Sequence, residues 1–181
     1  LDVWYVGYGS NLLRERFLYY ILGGQFPLGG SKAQKCSDSS LPTGDRTCII
    51  HHALYFARSA SHWKNGGVAF ILPDEDESSH TYGRMWKITE EQFLHIRVQE
   101  GRTWYDKKIP LGQDENGIPI WTITSTSTLK PNKPSDNYLK TIVAGLKETY
   151  HLDNQGIIKY LMNIPGIENN FTEDKLASLC Q

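Results

Sequence analysis

The stretch Trp4-Tyr5-Val6-Gly7-Tyr8-Gly9-Ser10-Asn11-Leu12-Leu13 constrains this chain more than any other. Trp4 to Tyr8 has the aromatic and β-branched composition of a strand. Gly9, Ser10 and Asn11 turn the chain, and Ser10 or Asn11 is placed to cap a helix from about Leu12 to Leu22 that ends at Gly23-Gly24. A strand that enters a helix through a glycine turn aims backbone N–H groups and the positive end of the helix dipole at one spot, which favours an anion. The same pattern also serves as a plain connection without a ligand, so the chemistry must come from elsewhere in the chain.

Beyond Gly24 the chain alternates strand and loop signals. Ser31 to Arg46 is a long polar loop, expected to form a rim or lid. Ile49 to Ala57 reads as a strand and Ser59 to Asn65 as a connection, before Gly66-Gly67 and the apolar run Val68–Leu72. Pro73 to His80 is an acidic turn, Thr81 to Ile88 the next strand, and Thr89 with Gln92 a capping box that opens a helix ending at Gly101. Trp104–Ile109 and Ile118–Thr128 are predicted to pair as a hairpin. Beyond the proline-containing linker Lys130–Asp136 the pattern turns helical: Asp136 caps Asn137–Tyr150, Asp153 caps Asn154–Asn163, and a short helix Glu173–Cys180 follows Thr172. Length and pattern together predict a single α+β domain over residues 1–181. It would hold five or six mostly antiparallel strands, with a helical C-terminal extension from about residue 130 packed on it.

Composition removes several function classes. A net charge of −1 gives no electrostatic reason to expect a nucleic acid or membrane partner, and no apolar run approaches the roughly 18 residues of a membrane span. Cys36, Cys48 and Cys180 form no CxxC pair, and the adjacent His51 and His52 would point to opposite faces of a strand, so no metal site is expected. The Leu1 start, the Cys36–Cys48 loop and the Asn170-Phe171-Thr172 sequon are compatible with secretion. Reduced thiols in a cytoplasmic protein is the simpler expectation.

One residue fits structure poorly. On the helix from Glu90 to Glu100, Phe93, Ile96 and Glu100 stand at i, i+3 and i+7 and share a face. Glu100 therefore points toward apolar surroundings, in a last turn where the dipole disfavours an acid by about a few tenths of a kcal/mol. A carboxyl group so placed, at the end of a helix on its core face, suits a role in taking and returning a proton. Its plain alternative is a frayed helix end. Glu90 and Glu91, at the favourable end, need no functional explanation.

With these residues in view, the chain resembles the γ-glutamylcyclotransferase-like family. The resemblance rests on Tyr8-Gly9-Ser10-Asn11-Leu12, Trp63-Lys64-Asn65-Gly66-Gly67-Val68-Ala69, Tyr82-Gly83-Arg84-Met85-Trp86-Lys87-Ile88, Gln99-Glu100-Gly101, and Pro134-Ser135-Asp136-Asn137-Tyr138 before a helix holding Gly145. It implies a small mixed-topology β-barrel flanked by helices. It also implies release of 5-oxoproline by attack of a γ-glutamyl α-amino group on its own γ-amide, with no metal or organic cofactor and a small-molecule γ-glutamyl substrate. By position, Glu100 matches the general acid/base, the loop Tyr8, Gly9, Ser10, Asn11 and Leu12 the substrate loop, and Tyr138 a tyrosine at the pocket mouth. The long Cys36–Cys48 loop and the short segment Arg102–Tyr105 depart from the family, so the leaving-amine side is open, with Trp63, Trp104, Tyr105 and Tyr138 as candidate walls. The rival readings are a non-catalytic binding module or sensor for a small γ-glutamyl-type or carboxylate ligand, and a phosphate site on Gly7-x-Gly9. The phosphate site lacks a Walker-type Lys-Ser/Thr. Oligomeric state is not legible in the sequence.

Overall fold

In the computed structural model, which describes residues 1–181, strand β1 (Asp2–Gly7) is buried from Val3 to Gly7. A strand covered on both faces must be apolar throughout, as Val3-Trp4-Tyr5-Val6 is. It is the centre of a five-stranded sheet in the order β2-β5-β1-β7-β6, formed with β2 (Gly44–Ile50), β5 (Thr81–Thr89), β6 (Lys107–Gln113) and β7 (Pro119–Thr124). β1 runs antiparallel to β5, with Val6 opposite Met85, and parallel to β7, with Tyr5 opposite Trp121. β3 (Leu54–Ala60) and β4 (Gly66–Ile71) pair separately as a hairpin, every residue of β4 buried.

The structure corrects several expectations. The barrel is not closed by backbone ladders: where β4 meets β7, the Thr124 hydroxyl alone bridges to the Ile71 N–H (3.1 Å) and C=O (2.5 Å). The continuous strand Ile49–Ala57 is two strands in different sheets, interrupted at His51–Ala53, and Gly44–Arg46 of the expected loop belong to β2. His51 and His52 thus lie in a corner, their Nδ1 atoms 3.0 and 2.7 Å from the carbonyls of Ser79 and Leu72. The predicted hairpin exists as β6 and β7, and Trp104 and Tyr105 belong to the turn before it.

Helix α1 (Arg14–Leu22) is preceded by a 3₁₀ turn, Ser10–Leu12, and has Leu13 at its N-cap with no side-chain cap, so neither Ser10 nor Asn11 plays that part. α2 (Glu90–Glu100) starts at the Thr89/Gln92 capping box. α3 (Asp136–Tyr150) is capped by Ser135 instead of Asp136, which pairs with Lys175 at 2.8 Å. α4 (Asn154–Leu161) and α5 (Glu173–Leu179) are capped by Asp153 and Thr172. Leu139, Ile142 and Leu146 of α3, Leu161 of α4 and Leu176 of α5 join one hydrophobic core with the strands. Each such side chain contributes about 1.5–3 kcal/mol by leaving water. α3 comes so near the 3₁₀ turn that a Cβ on Gly145 would lie 2.5 Å from Leu12 Cβ. No helix is long and apolar enough to cross a membrane.

Candidate active site

At the end of β1 the chain turns through Tyr8–Leu13, and the strand beside it holds that turn from behind. Trp86 Nε1 donates to the Asn11 carbonyl (3.0 Å) and Arg84 Nη1 to the Leu12 carbonyl (3.0 Å). Arg84 is itself fixed by Asp45 (2.8 Å) and Glu148 (2.5 Å) and lies over the Trp86 ring at 4.2 Å. With carbonyls drawn back this way, the N–H groups of Tyr8 and Gly9 bond no other group of the chain, and both residues line a small inner chamber of about 30 Å³. Glycine is required at position 9, because a Cβ there would lie 2.7 Å from the Tyr138 hydroxyl and 2.9 Å from Ala69 Cβ.

The chamber continues into an outer cleft of about 260 Å³. Ser10, Glu100, Tyr105 and Tyr138 line both and mark the boundary. α2 delivers Glu100 there because Phe93 and Ile96 anchor its face in the core. Asn11 Nδ2 donates to Glu100 Oε1 (3.1 Å) and to the Tyr5 hydroxyl (3.0 Å). A carboxylate at that place fixes the amide's orientation, since the reverse would set oxygen against oxygen. Asn11 Oδ1 is left buried without a partner.

Five phenols surround the carboxylate. Burial above all, with the Glu100 charge adding to it, holds Tyr5, Tyr8, Tyr20, Tyr105 and Tyr138 above the ordinary tyrosine range. All five therefore keep their protons at neutral pH. Two are tied to backbone carbonyls, Tyr8 to Ile123 (2.7 Å) and Tyr105 to Ala69 (2.9 Å), while the Tyr138 hydroxyl accepts from the Ala69 N–H (3.0 Å).

Of the residues singled out in the sequence, Tyr8, Gly9, Ser10, Asn11, Glu100, Tyr105 and Tyr138 meet at the chamber, and Trp63 and Trp104 line the outer cleft. Leu12 does not belong with them: its side chain is fully buried beneath Gly145 and lines neither space. Of the expected long loop only its first residue, Ser31, lines the cleft, beside Gly30 that precedes it. Cys36, Cys48 and Cys180 are free thiols, Cys36 donating to the Tyr20 carbonyl at 3.3 Å and pushed up to about 11 by burial and then by Asp38. No group of three or more His, Cys, Asp or Glu side chains is placed to hold a metal ion.

Sequence reasoning missed Tyr5, Tyr20, Gln99 and Arg16. Gln99 ties α2 to the Tyr20 carbonyl (3.0 Å) and accepts from the Gln34 N–H (3.0 Å). Arg16, on α1, lines the outer cleft and is only 3% exposed. Its Nη2 donates to the Tyr20 hydroxyl (3.0 Å), and its guanidinium lies over the rings of Tyr20 (4.7 Å), Trp63 (5.7 Å) and Phe26 (5.9 Å). The i, i+4 spacing puts Arg16 and Tyr20 on one helix face, but nothing in that spacing signals the burial of Arg16.

This arrangement of strands and helices is the γ-glutamylcyclotransferase-like fold. Among solved structures the chain is similar to a γ-glutamyl cyclotransferase, with a TM-score of 0.63 and 20% identity over 99% of this chain and 98% of that one. It is similar as well to an uncharacterised human protein, with a TM-score of 0.64 and 20% identity over 99% of both chains. A third likeness is to YkqA of Bacillus subtilis, with a TM-score of 0.57 and 16% identity over 88% of this chain and 52% of that one. At such identities the likeness is one of fold. In sequence, the chain is 29% identical over 201 residues to histone deacetylase 5 of Arabidopsis thaliana, spanning 89% of this chain but only 30% of that protein's length. No family model matches the sequence.

Proposed function

We propose that this chain is a γ-glutamylcyclotransferase-type enzyme that releases 5-oxoproline from a small γ-glutamyl compound. The observation that carries the reading is the Glu100 carboxylate, held by Asn11 at the junction of the chamber and the cleft. It stands beside backbone N–H donors that bond nothing else in the chain.

In this reading the glutamyl half occupies the inner chamber. Its α-ammonium meets the orphaned Asn11 Oδ1 and Glu100, the acceptors suited to a cation. Glu100 takes one proton, and the freed amine attacks the γ-carbonyl carbon to close a five-membered ring. The negative charge that develops on the carbonyl oxygen is met by the N–H groups of Tyr8 and Gly9. Breaking the bond from carbon to the departing nitrogen then requires a proton on that nitrogen. Glu100 returns the one it took, accepts the second proton that the ring nitrogen must lose, and passes it to the released amine, which leaves as an ammonium. Because nucleophile and electrophile belong to one molecule, the protein mainly has to hold a folded conformer, for which well-oriented systems reach effective molarities on the order of 10⁵–10⁸ M.

The test is 5-oxoproline release from a panel of γ-glutamyl amines, amino acids and peptides. Glu100→Gln should lower turnover by roughly 10²–10⁴-fold while the thermal unfolding curve stays in place. Undiminished turnover in a folded Glu100→Gln protein overturns the assignment.

A further inference from the structure

We infer that Tyr20 is a positioning residue for Glu100, its hydroxyl proton given to the carboxylate as a second hold beside Asn11, and that Arg16 acts through Tyr20 by fixing where that proton points. This rests on the cyclotransferase reading above and adds to it what keeps the acid/base group in line.

The fold treats its two buried arginines differently. Arg84 is fully provided for: two carboxylates, a backbone carbonyl and the face of Trp86. Arg16, more deeply buried, takes part in none of the chain's ion pairs. Its Nε and Nη1 are shut off from the cleft and have no hydrogen-bond partner, and its one hydrogen bond runs from Nη2 to the Tyr20 hydroxyl (3.0 Å). Gly30 packs so closely over it that a Cβ there would lie 2.7 Å from Nη2. A buried guanidinium without a counter-charge is costly, and the aromatic faces around it return only part of that cost. So enclosed, its charge acts on the site through the one group it holds.

That group is a phenol whose proton is free to be placed. A guanidinium offers no acceptor, so the Tyr20 hydroxyl receives from Arg16 and its own hydrogen turns away from the cation. The Tyr8 and Tyr105 hydroxyls donate to the carbonyls of Ile123 and Ala69, whereas that of Tyr20 goes to no backbone carbonyl. Glu100 is the only acidic side chain in the cleft wall that Arg16 and Tyr20 share with it. Burial raises Tyr20 most and the Arg16 charge opposes the rise, while Glu100 adds to it through its charge and through a hydrogen bond. The last turn of α2 is fastened to the same residue, because Gln99, next to Glu100, donates from Nε2 to the Tyr20 carbonyl (3.0 Å). In a dry interior, successive hydrogen bonds from guanidinium to phenol to carboxylate polarise one another. An ionised carboxylate has about four acceptor sites. With Asn11 on one and Tyr20 on another, two remain for the attacking and the departing nitrogen.

The test compares three variants. Tyr20→Phe should lower kcat by about tenfold to a hundredfold, with KM little changed. Arg16→Met, which deletes an unpaired buried charge, should lower kcat while the melting temperature stays in place or rises. In the double variant the loss should be no greater than in Tyr20→Phe alone, since Arg16 acts only through the hydroxyl. Wild-type kcat in Tyr20→Phe, unchanged kcat in Arg16→Met, or losses that multiply in the double variant overturn the inference. Proton NMR separates it from the question of turnover. The Tyr20 hydroxyl proton, identified by its nuclear Overhauser contacts with the Tyr20 ring, should resonate well downfield of an ordinary phenol and move upfield in Glu100→Gln and in Arg16→Met. The absence of such a resonance, or one unmoved in Glu100→Gln, overturns the inference. If the resonance behaves as expected but no γ-glutamyl compound is turned over, the hold on Glu100 stands and only the cyclotransferase reading falls.

Discussion

Asn11 joins the two halves of the candidate site through a single amide. Its Nδ2 serves Glu100 and the Tyr5 hydroxyl, its Oδ1 is unpartnered, and its backbone carbonyl is pinned by Trp86. Asn11→Ala would leave Glu100 without its anchor and the Tyr5 hydroxyl without a donor. The expected outcome is a loss of about 1–3 kcal/mol in chemical denaturation, with a fall in kcat well beyond the change in KM if Glu100 is the acid/base group proposed, because it is then no longer held in line. Intact kcat in Asn11→Ala would show that Glu100 needs no positioning by the turn. At this scale the sequence revealed Glu100 by a broken rule, an acid on the core face of a helix. Arg16 breaks the same rule on α1 and gave no warning, because a long aliphatic stem lets arginine stand at a core boundary with its charge in water. Its burial depends on residues 23–33 folding back over it, which no local spacing encodes. Asn11 was placed in the right loop for a partly wrong reason: its side chain serves Glu100 and Tyr5, and α1 begins uncapped.

Between elements, the close approach of α3 to the 3₁₀ turn decides where the Tyr8–Leu13 loop can sit. A methyl group at position 145 would meet Leu12 Cβ at 2.5 Å, the Leu12 carbonyl carbon at 2.7 Å and the Leu13 nitrogen at 2.8 Å, two of them backbone atoms that cannot swing away. Helix propensity alone would make Gly145→Ala stabilising by about 1 kcal/mol. Overpacking costs about 1–3 kcal/mol, so the predicted net effect is destabilising, together with reduced turnover from a displaced loop. A stabilised, fully active Gly145→Ala protein would mean that the helix yields instead. Elements whose signals are local, such as the Thr89/Gln92 capping box or the glycine after Glu100, could be read from the sequence, and α2 occupies the residues expected of it. The corner at His51–Ala53 could not. Ile49–Ala57 has strand composition on both sides of the corner, and nothing in β-propensity tells a chain that it is changing sheets. The pairing of Asp136 with Lys175, which leaves Ser135 to cap α3, depends in the same way on a helix nearly forty residues further along.

For the molecule as a whole, strand order and the meeting of residues near 10, 100 and 138 were accessible only through the resemblance, since composition and periodicity contain no strand order. The closed barrel that the resemblance implied gives way to a sheet and a hairpin joined by Thr124. One property belongs to no single element, the large number of buried phenols. Burial raises Tyr5, Tyr8, Tyr20, Tyr105, Tyr138 and Tyr160, and pushes Tyr150 up to about 12. In the unfolded chain these groups ionise near pH 10. Below that pH both states hold the phenolic protons and stability does not respond to them. Above it the unfolded chain binds fewer protons than the folded one, so stability falls as pH rises, by roughly 1.4 kcal/mol per pH unit for each phenol. With seven such groups the combined slope approaches 10 kcal/mol per unit, comparable to the entire stability of an ordinary domain. Burial-raised thiols at Cys36, Cys48 and Cys180 act with the same sign. The protein should therefore unfold within about one to two pH units above 10. Circular dichroism and phenolate absorbance should change together, because most of its tyrosines can ionise only by unfolding. Tyr160→Phe, distant from the chamber, should make the transition shallower by about one proton. Phenolate appearing near pH 10 while the fold persists would mean that these hydroxyls reach water in the native state.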